Sequence, residues 1–311
     1  MFEFLVFLIL VSFVIVFLLI IWRIKARKFV SSGTVASAYD SWTQDKLLER
    51  LWGEHIHLGF YPPQKKNIDF REAKIQFVHE LVKWSGIDQL PPGSRILDVG
   101  CGIGGSSRIL AKDYGFNVTG ITISPEQVKR AKELTPYELT CNFQVMDALD
   151  LEFEDGTFDG IWSIEAGAHM NDKKKFADEM LRTLRPGGYL ALADWNSRDL
   201  KNNPPSLFEK FVLNQLLEQW VHPEFISIID FANILQDNKN SSGRVKFDNW
   251  NKYTNPSWYD SIIEGMRRPN AILSLGPFAI AKSIREIPTI ILMNWAFRKR
   301  LMEFGVYRCR G

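Results

Sequence analysis

Cysteine is scarce. Cys101, Cys141 and Cys309 are the three in 311 residues, and no two stand at the spacing of a zinc-ligand pair or a redox motif. No disulfide framework can be read, and so few scattered thiols fit a reducing compartment. An excess of one charge is also lacking: 38 Lys and Arg stand against 36 Asp and Glu, for a net charge of +2. That is too little to argue for a polyanionic partner, and no nucleic-acid module is legible. His55 and His57 alternate in WGEHIHLG, but without a cysteine or aspartate cluster beside them no metal is expected. Internal repeats and low-complexity tracts are absent. Hydrophobic residues at 46% and charged residues at 24% are those of an ordinary globular chain.

One stretch departs from that average. FLVFLILVSFVIVFLLIIW, residues 4–22, is almost unbroken apolar sequence. As a helix it is about 28 Å long at 1.5 Å per residue, close to the roughly 30 Å of a bilayer's hydrocarbon core. A secretory leader carries its cations before the apolar run and a small-residue cleavage site after it. Here Glu3 precedes the run and RIKARK, with Arg23, Lys25, Arg27 and Lys28, follows it. The order favours an uncleaved transmembrane anchor over residues 1–22. The cations that follow keep the rest of the chain on the cytoplasmic face. VSSGTVASAYD, rich in small and polar residues, reads as a linker, so residues 23–38 are expected to be basic flank and linker.

The stretch SRILDVGCGIGGSSRILAKDYGFNVTGITIS reads as a buried strand ending in a glycine cluster, then a helix, then a second strand. That is the opening of a doubly wound, mostly parallel α/β sheet with helices on both faces. Gly100, Gly102 and Gly105 satisfy G-x-G-x-x-G, the dinucleotide fingerprint. Two features argue against a dinucleotide. Asp98 lies two residues before the first glycine, where a carboxylate repels a pyrophosphate but suits a ligand carrying an ammonium and a sulfonium. The second strand ends Gly120-Ile121-Thr122-Ile123-Ser124, without the acid expected to hold a ribose.

LDVGCGIGG resembles the first motif of the class I S-adenosylmethionine-dependent methyltransferases. FQVMDALDLEFEDGTFDGIWSIEAGAHM resembles their second region and LRTLRPGGYLALADW their third, in the right order and at the right intervals. The resemblance implies a Rossmann-like core over residues 93–196 that binds S-adenosylmethionine and releases S-adenosylhomocysteine. Asp98 would hold the ammonium of the methionine end, with Gly100, Cys101, Gly102 and Gly104 along its backbone. Thr122 and Gln127 would take the ribose. Asp147 would accept from the adenine amino group, and the Ala148 amide would donate to the ring. Ile96, Leu97, Val99, Ile103, Gly105 and Ser163 complete the cofactor site that the resemblance implies.

YDSWTQDKLLERLWGEHIHLGFY, ADWNSRD and SIREIPTIILM extend the resemblance over nearly the whole chain. They look like the 2-methyl-6-phytyl-1,4-benzoquinol methyltransferases of cyanobacterial type, within the γ-tocopherol methyltransferase-like group. That implies lid helices over residues 39–92, a helical substrate-binding cap with elements completing the sheet over residues 197–311, and a lipid-soluble prenylated quinol as substrate. It also implies the thylakoid or plasma membrane of a photosynthetic bacterium. His57 and Tyr61 are expected in the lid. Trp195, Trp220, Trp250, Trp258 and Trp295 suit either a core or a slot for a greasy, ring-bearing substrate. Ile284, Ile287, Ile291, Trp295 and Phe297, with Arg298, Lys299 and Arg300, suit either a membrane surface or a buried closing helix.

Carbon methylation of a quinol ring needs a base, and Glu165 and His169 are the titratable groups in IWSIEAGAHM, at the expected carboxyl end of the fourth strand. Three alternatives stay open: a γ-tocopherol methyltransferase, a dehydrogenase using the glycine motif, and a membrane-tethered S-adenosylmethionine-binding module without catalysis.

Overall fold

The computed structural model describes residues 28–64 and 68–311, together with Val11, Ser12 and Val16. The expected membrane span over residues 1–22 therefore lies outside the described residues, apart from those three. No helix of the described residues is long and apolar enough to cross a membrane.

Among the described residues seven strands form one sheet: β1 Arg95–Val99, β2 Asn117–Thr122, β3 Cys141–Val145, β4 Phe158–Ile164, β5 Leu184–Ser197, β6 Ser242–Asn249 and β7 Met302–Arg310. Their order is β3-β2-β1-β4-β5-β7-β6. The first five run parallel, and β7 is antiparallel to both β5 and β6. The order reverses between β1 and β4. At such a switch point the two strands' connections leave on opposite faces, and a crevice opens at the carboxyl ends.

Alternate residues of β1 go to opposite faces. Ile96 packs in a core with Phe77, Leu81 and Phe304, whereas Leu97 packs with Phe176, Met180 and Leu190 in another. Period-two alternation with both faces covered is what a buried parallel strand requires.

The helices are set by caps and periodicity. In α3, Phe70–Ser85, the Asp69 carboxylate accepts from the amides of Arg71 and Glu72, and Gly86 at φ +78° ends the helix. Phe70, Ala73, Lys74, Phe77, Val78 and Leu81 form its buried stripe. α4 is Gly105–Tyr114, α5 Pro125–Leu134 and α6 Lys173–Thr183. Between β5 and β7 lie α7 Leu207–Gln219, α8 Ile228–Gln236, α9 Asn251–Thr254, α10 Pro256–Arg267, α11 Pro269–Leu273 and α12 Pro277–Arg298.

Two more helices precede the sheet, α1 Ser32–Gln44 and α2 Leu47–Trp52. The expected linker is thus corrected in part: from Ser32 onward the segment is helical. Val35 and Ala38, one helical turn apart, are buried against Val221, so a patch of small apolar residues in a polar context supplies the packing face. Leu47 and Leu51 of α2 pack on Ile272 and Leu275 around α11. N-terminal and C-terminal helices meet there over the carboxyl edge of the sheet.

The closing helix α12 is buried at one end and exposed along one stripe. Phe297 is fully buried, whereas Ile284, Ile287 and Ile291 are exposed.

Asn251 ties the cap to the sheet. Its Oδ1 accepts from the Phe304 amide at 2.6 Å, and its Nδ2 donates to the carbonyls of Met302 at 3.1 Å and Phe297 at 3.4 Å. Asn251→Ala removes the partner of the buried Phe304 amide and of the Met302 carbonyl, while the Phe297 carbonyl keeps the Arg300 amide, and we predict a loss of roughly 1–3 kcal/mol. It should be read as a lowered urea midpoint at unchanged slope; a wild-type midpoint contradicts the prediction.

Candidate active site

The crevice at the β1/β4 switch point opens into a cavity of about 470 Å³. Asp98, Gly100, Cys101, Gly102, Ile103, Gly105, Thr122, Gln127, Asp147, Ala148, Glu165 and His169 all line it. Twelve residues expected at the site are therefore brought together. Ile96, Leu97, Val99, Gly104 and Ser163 are not among the lining residues. Ile96, Leu97 and Val99 are spent on the cores that flank β1. The Ser163 hydroxyl donates to the Val99 carbonyl at 2.8 Å and so joins β4 to β1. A Cβ on Gly104 would lie 2.7 Å from the Phe143 ring, so this glycine serves the packing of α4 on the sheet.

Asp98 is 2% exposed. Its Oδ2 accepts from the Ser107 hydroxyl at 2.6 Å. Burial pushes its carboxyl up to about 7, against a smaller downward pull from that hydroxyl. A desolvated carboxylate facing a cavity is a site for a cation. Gly102, at φ +55°, has nothing closer to a hypothetical Cβ than the Gln127 Nε2 at 4.0 Å, so a ligand can approach the backbone. The Thr122 hydroxyl donates to the Gln127 Oε1 at 2.7 Å, which leaves the Gln127 amide nitrogen to donate. One Asp147 oxygen accepts from the Leu149 amide at 2.9 Å, fixing the carboxylate at the cavity wall. A cation site, an open glycine backbone and two further polar anchors fit the methionine, ribose and adenine parts of S-adenosylmethionine.

Glu165 follows directly on β4. Its amide donates to the Ala193 carbonyl at 2.8 Å, and its φ of +54° turns the side chain out of the strand path. A non-glycine residue in that region is strained by about 1–3 kcal/mol, a cost common at functional sites. Oε1 accepts from the Leu58 amide at 2.7 Å. Burial pushes the carboxyl up to about 8, with the Leu58 amide pulling it down; Asp194 raises it further and Lys74 lowers it.

His169 ends a short turn held by Lys173, whose ammonium donates to the carbonyls of Gly167 at 2.6 Å and Ala168 at 3.2 Å. A Cβ on Gly167 would lie 2.3 Å from the Asp194 Oδ2, so glycine alone fits there. The His169 Nδ1 faces the Val221 carbonyl at 3.3 Å and Nε2 lies 2.9 Å from the Tyr39 hydroxyl. A carbonyl only accepts, so Nδ1 carries the hydrogen and Nε2 accepts from Tyr39. The ring stacks on His222 at 4.1 Å. Burial pushes His169 down to about 4, so it is neutral at physiological pH.

Sequence reasoning missed Tyr39, Asp40, Lys74 and His222. Tyr39, Lys74 and His222 line the cavity. Asp40 docks α1 on α5: its Oδ1 accepts from the Ser124 hydroxyl at 2.5 Å and the Glu126 amide at 3.3 Å. Lys74 is fully buried, donates to the His55 carbonyl at 2.7 Å and lies over the rings of Phe70 and Trp52. A signal for it was present, since it occupies a core position of the α3 stripe, where a lysine is out of place. His57 lines the cavity as expected of the lid, and its Nε2 lies 3.1 Å from the His55 Nδ1. Tyr61 instead donates its hydroxyl to Asp260 at 2.8 Å and is not among the lining residues. Trp195, Trp220 and Trp258 line the cavity, whereas Trp250 is buried among Phe60, Phe77 and Trp84 and Trp295 packs against the core.

Comparison with known proteins agrees with this geometry. Residues 97–192 match the family model described as a methyltransferase domain. The 2-methyl-6-phytyl-1,4-hydroquinone methyltransferase of Synechocystis is 54% identical, over 93% of this chain and 91% of that protein. The chloroplastic tocopherol O-methyltransferase of Arabidopsis thaliana is 36% identical, over 85% of this chain and 78% of that protein. Among solved structures, a cyclopropane synthase from Mycobacterium tuberculosis superposes with a TM-score of 0.75 at 17% identity, covering 89% of this chain and 97% of its own. The geranyl diphosphate C-methyltransferase of Streptomyces coelicolor does so with a TM-score of 0.64 at 18% identity, covering 90% and 97%. At those identities the two structures speak for the fold alone.

Asp98 gives a pH prediction. With its carboxyl near 7 in the free protein, binding of an ammonium below that pH must displace a proton. Cofactor affinity should be level from pH 7 to 8 and fall by about tenfold per pH unit below. Asp98→Asn should flatten the profile and weaken binding at pH 8 by roughly 1.5–3 kcal/mol. Calorimetry across pH 5.5–8 checks both; a level wild-type profile removes Asp98 from the cation contact.

Proposed function

The chain belongs to the 2-methyl-6-phytyl-1,4-hydroquinone and tocopherol methyltransferase group of S-adenosylmethionine-dependent enzymes, and we propose that it methylates a ring carbon of a prenylated benzoquinol. The substrate proposed is 2-methyl-6-phytyl-1,4-benzoquinol and the product its 2,3-dimethyl counterpart, in tocopherol synthesis. The observation that carries this is a single cavity with two characters. One end holds Asp98, Asp147 and Gln127, and the other is walled by Trp195, Trp220 and Trp258 with Ile284, Ile287 and Ile290. A polar cofactor seat that opens into an aromatic and aliphatic slot suits a ring with a long hydrocarbon tail.

When bound, S-adenosylmethionine supplies a methyl group on a sulfonium centre. Asp98 holds its ammonium, Gln127 and Asp147 its nucleoside, and the indoles orient the quinol ring. The ring carbon beside a hydroxyl takes the methyl group: a carbon–carbon bond forms as the methyl–sulfur bond breaks, the sulfur keeps that electron pair in S-adenosylhomocysteine, and the carbon's hydrogen leaves as a proton. Partial loss of the hydroxyl proton makes that carbon nucleophilic, so a base at the hydroxyl lowers the barrier.

Two cavity-lining groups are the candidates for that base. Glu165 faces the cavity with one oxygen committed to Leu58, and its ionised form gains population as pH rises toward 8. His169 is already neutral, but its free nitrogen is taken by Tyr39. A proton reaches His169 through the Tyr39 hydroxyl, which donates to Nε2 as it accepts from substrate. Exclusion of water by the closed cavity strengthens either interaction.

The two bases predict different profiles. If Glu165 is the base, kcat rises with unit slope to about pH 8, and Glu165→Gln lowers turnover by about two to four orders of magnitude and removes the slope. If the Tyr39–His169 pair is the base, kcat is level from pH 6 to 9, and Tyr39→Phe and His169→Asn carry the loss. Methyl transfer from radiolabelled cofactor to a panel of prenylated quinols and tocopherols tests the substrate. Label appearing only in the tocopherols overturns the quinol assignment.

A further inference from the structure

The cavity mouth lies between α10 and α12, and its rim is apolar. Met266, Ile284 and Ile287 each line the cavity and are also exposed to solvent. The exposure does not stop at the rim. Ile284, Ile287 and Ile291 lie on one stripe of α12, at intervals of three and four residues. Trp295, one turn further, meets Phe208 of α7 edge to face at 5.1 Å. Leu207, Phe208 and Phe211 stand beside it at 86%, 56% and 48% exposure. An apolar surface therefore runs without a break from the mouth across two helices, which is uncommon on a protein that meets only water. Cations border it: Lys210 on α7, and Arg298, Lys299 and Arg300 at the end of α12, are all exposed.

The chain's own N-terminal sequence converges on the same place. Lys28 lies 3.7 Å from Glu218, in the last turn of α7. Residues 23–27 alone separate Lys28 from the apolar run that ends at Trp22. Fully extended, that connection spans at most roughly 20 Å.

We propose that the exposed α7–α12 face is a bilayer-docking surface, immersed to the depth of the acyl-chain boundary, with the cavity mouth opening into the lipid. An apolar face bordered by cations, beside a terminal apolar run, is the chemistry of an interfacial helix pair on anionic lipid. The prenylated substrate then enters from the membrane between Met266 and Ile287 without crossing water. The route of entry rests on the quinol reading; the surface itself does not.

Full-chain protein in a Cys141→Ser background, with Cys101 and Cys309 buried, takes a fluorophore at Ile291→Cys or Leu207→Cys, and at Tyr137→Cys as the water-exposed reference. The vesicles are phosphatidylglycerol and phosphatidylcholine with brominated acyl chains. Expected is quenching by bromine at 291 and 207 at least about threefold stronger than at 137, with loss of quenching by aqueous iodide. Iodide quenching at 291 equal to that at 137 overturns the proposal. So does shielding from both quenchers, which means that a second copy or residues 4–22 cover the face. As a second readout, Phe211→Glu with Ile291→Glu should raise KM for vesicle-dissolved quinol about tenfold or more and leave a short-chain, water-soluble quinol unaffected. An immersed label with no quinol turnover overturns the substrate reading alone; turnover with an accessible label overturns the docking surface alone.

Discussion

Desolvation is the constraint on which the site depends. The strand-order reversal between β1 and β4 opens a crevice, but a crevice in water would leave its ionisable groups near their ordinary values. Here α1 and α2 from one end of the chain and α10 to α12 from the other close over it. The most deeply buried groups on the wall respond in the direction that disfavours charge. Asp98 and Glu165 are pushed up, and His169, His57 and Lys74 are pushed down. Unpaired buried charge is costly, and in the free protein burial holds the Asp98 and Glu165 carboxyls above the usual carboxylate range. Ligand binding can relieve it, because an ammonium beside Asp98 restores the charge partner that folding withheld.

The fold was legible where periodicity and turn chemistry act locally. The strand, glycine turn, helix and strand around Asp98 can be read from spacing. The direction of a side chain within a motif is harder to read. Resemblance assigned Ser163 to the cofactor, but a strand alternates, and on β4 that position turns its hydroxyl to the neighbouring strand. Ile96, Leu97 and Val99 show the same difficulty: they belong to the strand that carries the motif, yet their side chains belong to the cores. Residues that reach the site through tertiary packing were hidden. Tyr39 sits in a segment whose small polar residues look like a linker, and only its burial against Val221 makes it helical. The partnership of His169 with Tyr39 spans 130 residues, and no local pattern encodes it.

Two carboxylates in one cavity are given different work by their surroundings. Asp98 lies at the end of β1 with one hydroxyl for company, so a cation is what it lacks. Glu165 receives a backbone amide from the lid and shares the field of Lys74 and Asp194. Its charge is therefore set partly by how the lid is seated: withdrawal of the Leu58 amide removes a hydrogen bond that favours its ionised form. The lid and this carboxyl are thus coupled through the Leu58 contact.

The same contact links the two ends of the chain to the chemistry. Leu58 is held at the cavity by its neighbours: the Gly59 amide donates to Ser257 of α10 at 2.8 Å, and the Tyr61 hydroxyl donates to Asp260, one turn along the same helix. α10 also supplies Trp258 to the slot and Met266 to the mouth. A ligand that shifts α10 therefore moves the indole wall of the slot and the lid segment that donates to Glu165 together. The shape of the slot and the charge of the carboxyl are not independent properties of this cavity, because one helix bears on both.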